Sequence, residues 1–163
     1  RLVAHKSMGY VADGFDEETF QRLKGQNSIG HVRYSTAGES GLKNAQPILI
    51  DCAHGEIAIC HNGNLVNARE LRDALVAQGS IFQTTSDTEV LLHLYARSKA
   101  ATPEAALIEA VGQAQGAFSL VLLTKDQLIA VRDPHGFRPL TLGRLEDGWV
   151  VASETCEIGR AHV

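Results

Sequence analysis

The chain has 163 residues, 44% of them hydrophobic and 21% charged, with a formal net charge of -4. This is ordinary globular composition at the length of one domain, enough to bury a core without disulfide or metal staples. The acidic balance and the lack of a basic cluster exclude a nucleic-acid footprint, and no apolar stretch approaches the ~20 residues of a membrane-spanning helix.

Taken in order, residues 2–9 read as a short strand, followed by a turn at Asp13-Gly14. Asp16 is a helix cap, with Glu17 and Glu18 in the first turn where the helix dipole favours acids. Residues 28–33 read as a strand leading into a polar, glycine-punctuated loop, residues 34–41. Residues 47–52 and 56–60 form an antiparallel pair around a turn at 51–55. Asn67 and Glu70 have capping-box spacing before a helix that Gly79 stops. Ser86-Asp87-Thr88-Glu89 reads as a second capping box that opens a second helix, and Thr102-Pro103-Glu104 opens a third, with Pro at the first helical position. Residues 117–124 are nearly all apolar, the mark of a strand buried on both faces. Strands follow at 127–132, 140–143 and 149–153, with an irregular connector at 132–139. Strands, then helices, then strands, joined by tight turns, predict one α+β domain with antiparallel sheets packed together and helices outside.

The cysteines, Cys52, Cys60 and Cys156, are too few and too irregular for a disulfide framework, which favours reduced thiols and a cytoplasmic protein. Cys52, His54, Cys60 and His61 could be read as metal ligands. Their spacing is wrong for a zinc knuckle and Cys60 lies in an apolar run, so buried thiols are the better reading and no metal is expected. His61-Asn62-Gly63-Asn64 follows that run. By itself, Asn-Gly is a hairpin signal. The alternative is an oxyanion hole: a strand end that delivers an Asn side chain and a glycine N–H can stabilise a developing negative oxygen.

Five segments together resemble one family. They are Gly30-His31-Val32-Arg33-Tyr34-Ser35-Thr36-Ala37-Gly38, His61-Asn62-Gly63-Asn64-Leu65-Val66-Asn67, Thr85-Ser86-Asp87-Thr88-Glu89-Val90, Arg132-Asp133-Pro134-His135-Gly136-Phe137-Arg138-Pro139-Leu140, and Ala152-Ser153-Glu154-Thr155-Cys156. Their order and spacing resemble the class II glutamine amidotransferase domain, closest to its phosphoribosyl-transferring members. The resemblance implies the N-terminal-nucleophile hydrolase fold, a four-layer αββα sandwich with two antiparallel sheets. It also implies hydrolysis of glutamine to glutamate and ammonia. The ammonia then passes to phosphoribosyl pyrophosphate in a second domain, giving 5-phosphoribosylamine, the first step of purine synthesis.

Carried over residue by residue, Arg33 resembles the ligand of the glutamine carboxylate, which a guanidinium fork suits. Thr36 and the 34–41 loop resemble a lid over glutamine; an ordinary surface loop has the same composition. Asp87 resembles the ligand of the α-ammonium, although an acid at a helix start is also stabilised by the dipole. Asn62 and Gly63 resemble the oxyanion-hole donors. His31 and Tyr34 are assigned no chemistry, and the 132–139 connector is expected to shape the site or an interdomain face.

The family's nucleophile is a cysteine at the mature N-terminus, whose own α-amino group, with a pKa of about 8, takes the thiol proton. This chain begins Arg1-Leu2-Val3 and its cysteines are internal. The expectation is therefore an N-terminally truncated glutaminase domain at residues 1–156, with a pocket but no nucleophile, inactive alone. Residues 157–163 read like the in-frame translation of a sequencing adapter and are expected to be a non-native tail. No cofactor is expected in this domain. Mg²⁺ belongs to the phosphoribosyltransferase domain expected to follow, with an iron–sulfur cluster in some relatives. The expected partners are glutamine, that second domain and, at full length, further copies of the chain. Two alternatives stand beside this reading: the glutaminase domain of another class II amidotransferase, such as glucosamine-phosphate synthase, and a nucleophile-free domain that binds an amino acid or a partner protein.

Overall fold

The computed structural model describes residues 1–33 and 41–158. Two short helices, α1 (Val11–Gly14) and α2 (Glu17–Arg22), precede a 3-10 turn at Leu42–Asn44. β1 (Ile48–Cys52) and β2 (Gly55–Leu65) then lead to three helices, α3 (Ala68–Ala77), α4 (Thr88–Arg97) and α5 (Pro103–Gly112). β3 (Gly116–Thr124), β4 (Leu128–Arg132), β5 (Thr141–Leu145), β6 (Gly148–Ala152) and the short α6 (Thr155–Ile158) complete the order.

The strands form a four-stranded antiparallel sheet in the order β1-β2-β3-β4 and a separate β5-β6 pair. Successive side chains along a strand point to opposite faces. Ile57, Ile59 and Leu65 of β2 and Phe118, Leu120 and Leu122 of β3 therefore share one face. They pack on Leu91, Leu92 and Tyr95 of α4 and on Ala106, Leu107 and Ala110 of α5. The opposite face, carrying Cys60, Asn62, Ser119 and Val121, meets Leu140, Val151 and Ala152 from the second sheet and its approach. Helices, four-stranded sheet and two-stranded sheet thus stack in layers, and the central residues of β2 and β3 are buried from both sides. This is the two-sheet α+β arrangement the sequence predicts, and it explains the unbroken apolar run of β3.

Several local expectations are corrected. β2 does not stop at His61; it pairs with β3 without interruption from Ile57↔Thr124 to Leu65↔Gly116. Asn62-Gly63 is therefore mid-strand and not a hairpin turn, because tertiary pairing overrides the local turn preference. Residues 2–9 and 28–33 are not in strands; extended propensity makes a strand only where a ladder partner exists. Val11–Gly14 is a single helical turn where only a loop turn was expected. Asn67 does not cap α3 with its side chain. Its amide instead donates to the Gln113 carbonyl at 2.9 Å and accepts the Gln115 N–H at 2.9 Å, tying the start of α3 to the approach to β3. The caps at Asp16 and Thr102 form as expected, accepting from Thr19 and Ala105.

Two buried polar residues hold the loop ahead of α4. Asn44 donates to Thr85 Oγ1 (2.9 Å) and accepts from the Thr85 N–H (3.0 Å). Glu89, only 6% exposed, does not complete the capping box expected at Ser86-Asp87-Thr88-Glu89; it accepts the N–H groups of Gln83 and Thr84 and the Thr84 hydroxyl, at 2.8, 2.8 and 2.7 Å. Burial pushes the Glu89 carboxyl up, but these donors, with His93 nearby, hold it below the usual 4.5. Its contribution is therefore whole above pH 4.5 and is lost as pH falls through the lower folded value. Glu89→Gln is expected to cost about 1–3 kcal/mol at neutral pH. Urea unfolding should show the gap between variant and parent closing in strong acid.

Candidate functional site

β2 outruns its neighbour. The β1–β2 ladder ends at Ile48↔Ile59, so among the described residues no strand lies beside the β1-side edge of β2 beyond Ile59. A backbone N–H buried there must find another acceptor. His61 donates its N–H to Gln46 Oε1 at 2.6 Å, and its carbonyl accepts from Gln46 Nε2 at 3.3 Å. Four residues on, Leu65 donates its N–H to Asp87 Oδ2 at 2.9 Å. Strand backbone groups alternate sides, so the Gly63 N–H points to the same edge, between these two clamps. The far side agrees. Phe118, the β3 partner of Gly63, directs its N–H and carbonyl to Asp133, at 3.4 and 2.9 Å, and not to Gly63.

Only glycine fits at position 63. Its φ is +144°, and a Cβ there would lie 2.1 Å from the Ala117 carbonyl oxygen and 2.8 Å from Phe118 Cα. Asn62 projects from the opposite face, where Arg138 Nη2 donates to its Oδ1 at 2.5 Å. It lines a cavity of about 80 Å³ with His31, Cys60, Ser119 and Ser153. Arg33 lines a neighbouring cavity of about 170 Å³ with His5, Lys6, His31 and Gln46. His31 lines both cavities, and Gln46 links the second to the β2 edge through its grip on His61. Arg33 and Asn62 thus line two cavities that share His31, and Gly63 lines neither. Asp87 lines neither cavity and joins the group through Leu65. Thr36 and most of the proposed lid lie outside the described residues.

Burial alone would raise the Asp87 carboxyl. The adjoining His61 ring and the N–H groups of Leu65 and Thr88 outweigh it and hold Asp87 below its ordinary value, an anion at neutral pH. The His61 Nδ1 lies 3.1 Å from Thr88 Oγ1 and 3.5 Å from Asp87 Oδ1. The groups present here are the Arg33 guanidinium, the Asp87 carboxylate, the Asn62 amide and the Gly63 N–H. Cys60 has a different character: it is 3% exposed, and burial pushes its thiol up to about 12. Such a thiol is almost never the reactive thiolate at neutral pH. Among the described residues, no three His, Cys, Asp or Glu side chains cluster as metal ligands, and no helix is long and apolar enough to cross a membrane.

Two contributors have no role assigned in the sequence. Gln46 carries no motif signal. Arg138 lies inside the 132–139 connector, but nothing local links it to Asn62.

Comparison with known proteins places the chain in a family. Residues 31–159 match the glutamine amidotransferase domain family. The chloroplastic amidophosphoribosyltransferase 2 of Arabidopsis thaliana is 53% identical over 152 residues, 93% of this chain and 27% of that protein. The amidophosphoribosyltransferase of Staphylococcus aureus strain Mu50 is 46% identical over 159 residues, 96% of this chain and 32% of that protein. The solved glutamine phosphoribosylpyrophosphate amidotransferase of B. subtilis, complexed with ADP and GMP, superposes with a TM-score of 0.88 at 44% identity, covering 94% of this chain and 33% of that one. The chain therefore spans about a third or less of the length of these relatives.

Gly63→Ala is expected to destabilise the fold by about 1–3 kcal/mol through overpacking against β3, read by chemical denaturation. Iodoacetamide at mildly alkaline pH should label the exposed Cys156 and leave Cys60 at least ~100-fold slower, as mass spectrometry of the native protein would show.

Proposed function

The chain belongs to the glutamine amidotransferase domain family, and from that membership we propose that it is the glutaminase part of an amidophosphoribosyltransferase. In this reading Arg33 holds the α-carboxylate of glutamine and Asp87 its α-ammonium. The Asn62 side-chain N–H and the Gly63 backbone N–H receive the oxygen of the γ-amide as it becomes an oxyanion. Thr36 belongs to the loop that closes over the substrate. The nucleophile is the thiolate of the mature N-terminal cysteine implied by the family resemblance, which forms a bond to the amide carbon. Collapse of the tetrahedral adduct breaks the C–N bond and releases ammonia, and water then cleaves the thioester to glutamate. The ammonia is transferred to phosphoribosyl pyrophosphate in a second domain.

The observation that carries the proposal is the Gly63 N–H on the uncovered edge of β2, between backbone groups already clamped by Gln46 and Asp87. A donor held in place before reaction stabilises developing charge without reorganisation, an effect of roughly 3 kcal/mol per donor. The free cysteines at 52, 60 and 156 support a reducing compartment such as the cytoplasm.

Added ammonia bypasses glutamine hydrolysis, which makes the test selective. In the full-length enzyme, Arg33→Lys and Asp87→Asn should each raise KM for glutamine by about 10-fold or more, the size of one lost charge-assisted contact. Ammonia-dependent formation of phosphoribosylamine should be unchanged. Unaltered KM in both variants would overturn the assignment.

A further inference from the structure

Asn62 can serve an oxyanion only with its nitrogen turned toward the substrate. An Asn carboxamide has two faces of nearly equal shape, one donating and one accepting. Reversed, it would aim a partial negative oxygen at a developing negative charge. Something must decide between the two. We propose that Arg138 is the positioning residue that fixes the Asn62 carboxamide in its donating orientation. The inference rests on the oxyanion-hole reading above and extends it to a residue outside the substrate contacts.

The chemistry is unambiguous at the contact. A guanidinium has only donors. The atom of Asn62 that meets Arg138 Nη2 at 2.5 Å must therefore be the carbonyl oxygen Oδ1. That places Nδ2, with its two N–H bonds, on the side away from Arg138. The bond is charge-assisted and so stronger than a neutral one. It also withdraws electron density from the amide, which makes the remaining N–H groups better donors.

The connector is organised to bring that guanidinium to Asn62. Asp133 is 3% exposed. Its carboxylate accepts the N–H groups of His135, Phe137 and Arg138, at 3.0, 3.1 and 3.0 Å. The Arg138 carbonyl accepts from Arg132 Nε at 2.7 Å. A second anchor lies on the partner strand: Ser119 is the ladder neighbour of Asn62, and its hydroxyl donates to the carbonyl of Pro139 at 2.6 Å. The connector is thus tied on both sides of Arg138, to the strand pair that carries Asn62. Arg138 Nε is buried and has no acceptor among the described residues.

The test is a double-mutant cycle in the full-length enzyme, with Arg138→Met, Arg138→Lys and Asn62→Ala. Each variant's fold is checked by thermal unfolding and by retained ammonia-dependent activity. Arg138→Met should lower glutamine-dependent kcat by about 10-fold or more while KM for glutamine stays within about 2-fold, because only the transition state carries the oxyanion. Arg138→Lys, which keeps charge but loses the rigid fork, should lie between parent and Met. If Met fails to fold, Lys alone must show the same split. Asn62→Ala should cost ~10²–10³ in kcat, and the Asn62→Ala/Arg138→Met pair should be no worse than Asn62→Ala. Unchanged kcat in the Arg138 variants, or effects that multiply in the pair, would overturn the proposal and leave the oxyanion hole standing. Unchanged kcat in Asn62→Ala would instead remove the oxyanion-hole reading, and this proposal with it.

Discussion

The site depends on a strand that continues past its neighbour. Where β1 ends, β2 keeps three alternate N–H groups pointing at an edge that no strand among the described residues covers. Backbone donors in such a place must be met by side chains, ligand or water. Gln46 meets the one at His61 and Asp87 the one at Leu65. The remaining one, at Gly63, is held rigidly between them. Rigidity here comes from the sheet, since β3 pairs with the other side of β2 from Ile57 to Leu65.

That rigidity comes in turn from the core. α4 and α5 press on one face of β2 and β3, and the second sheet presses on the other. Burial from Ile57 to His61 keeps the centre of the ladder dry, while Gly63 and Asn64 beyond it are exposed. The close approach of the Ala117 carbonyl to Gly63 is the local mark of this packing, because any side chain at 63 would force the two strands apart. Chemistry and stability therefore draw on the same contacts. Glu89 and Asn44 complement them by setting the loop that delivers Asp87 to the strand end.

The connector between β4 and β5 adds a second sphere of control. One buried carboxylate, Asp133, gathers the N–H groups of a loop that would otherwise be irregular, and the loop presents Arg138 to Asn62. The pattern of residues 132–139 marks this segment as unusual in the sequence. Its physical use is hidden there, because the two partners stand 76 residues apart.

Much is legible without coordinates. Apolar runs and cap residues locate α2, α4, α5 and the strand pairs, since hydrophobic period and capping are local properties. Arg33, Asn62, Gly63 and Asp87 are singled out in the sequence by the family resemblance of the segments that carry them. The strand through Asn62-Gly63 is not legible there, because a local turn preference of a few tenths to about one kcal/mol yields to nine paired ladder positions with β3. Residues 28–33, extended in propensity, form no strand for the same reason in reverse. Sequence by itself determined which groups are available and roughly where the chain turns. Only the tertiary structure decided which edge of β2 lies open, which side chains close it, and which way the Asn62 amide faces, because each of these depends on contacts between residues far apart in the chain.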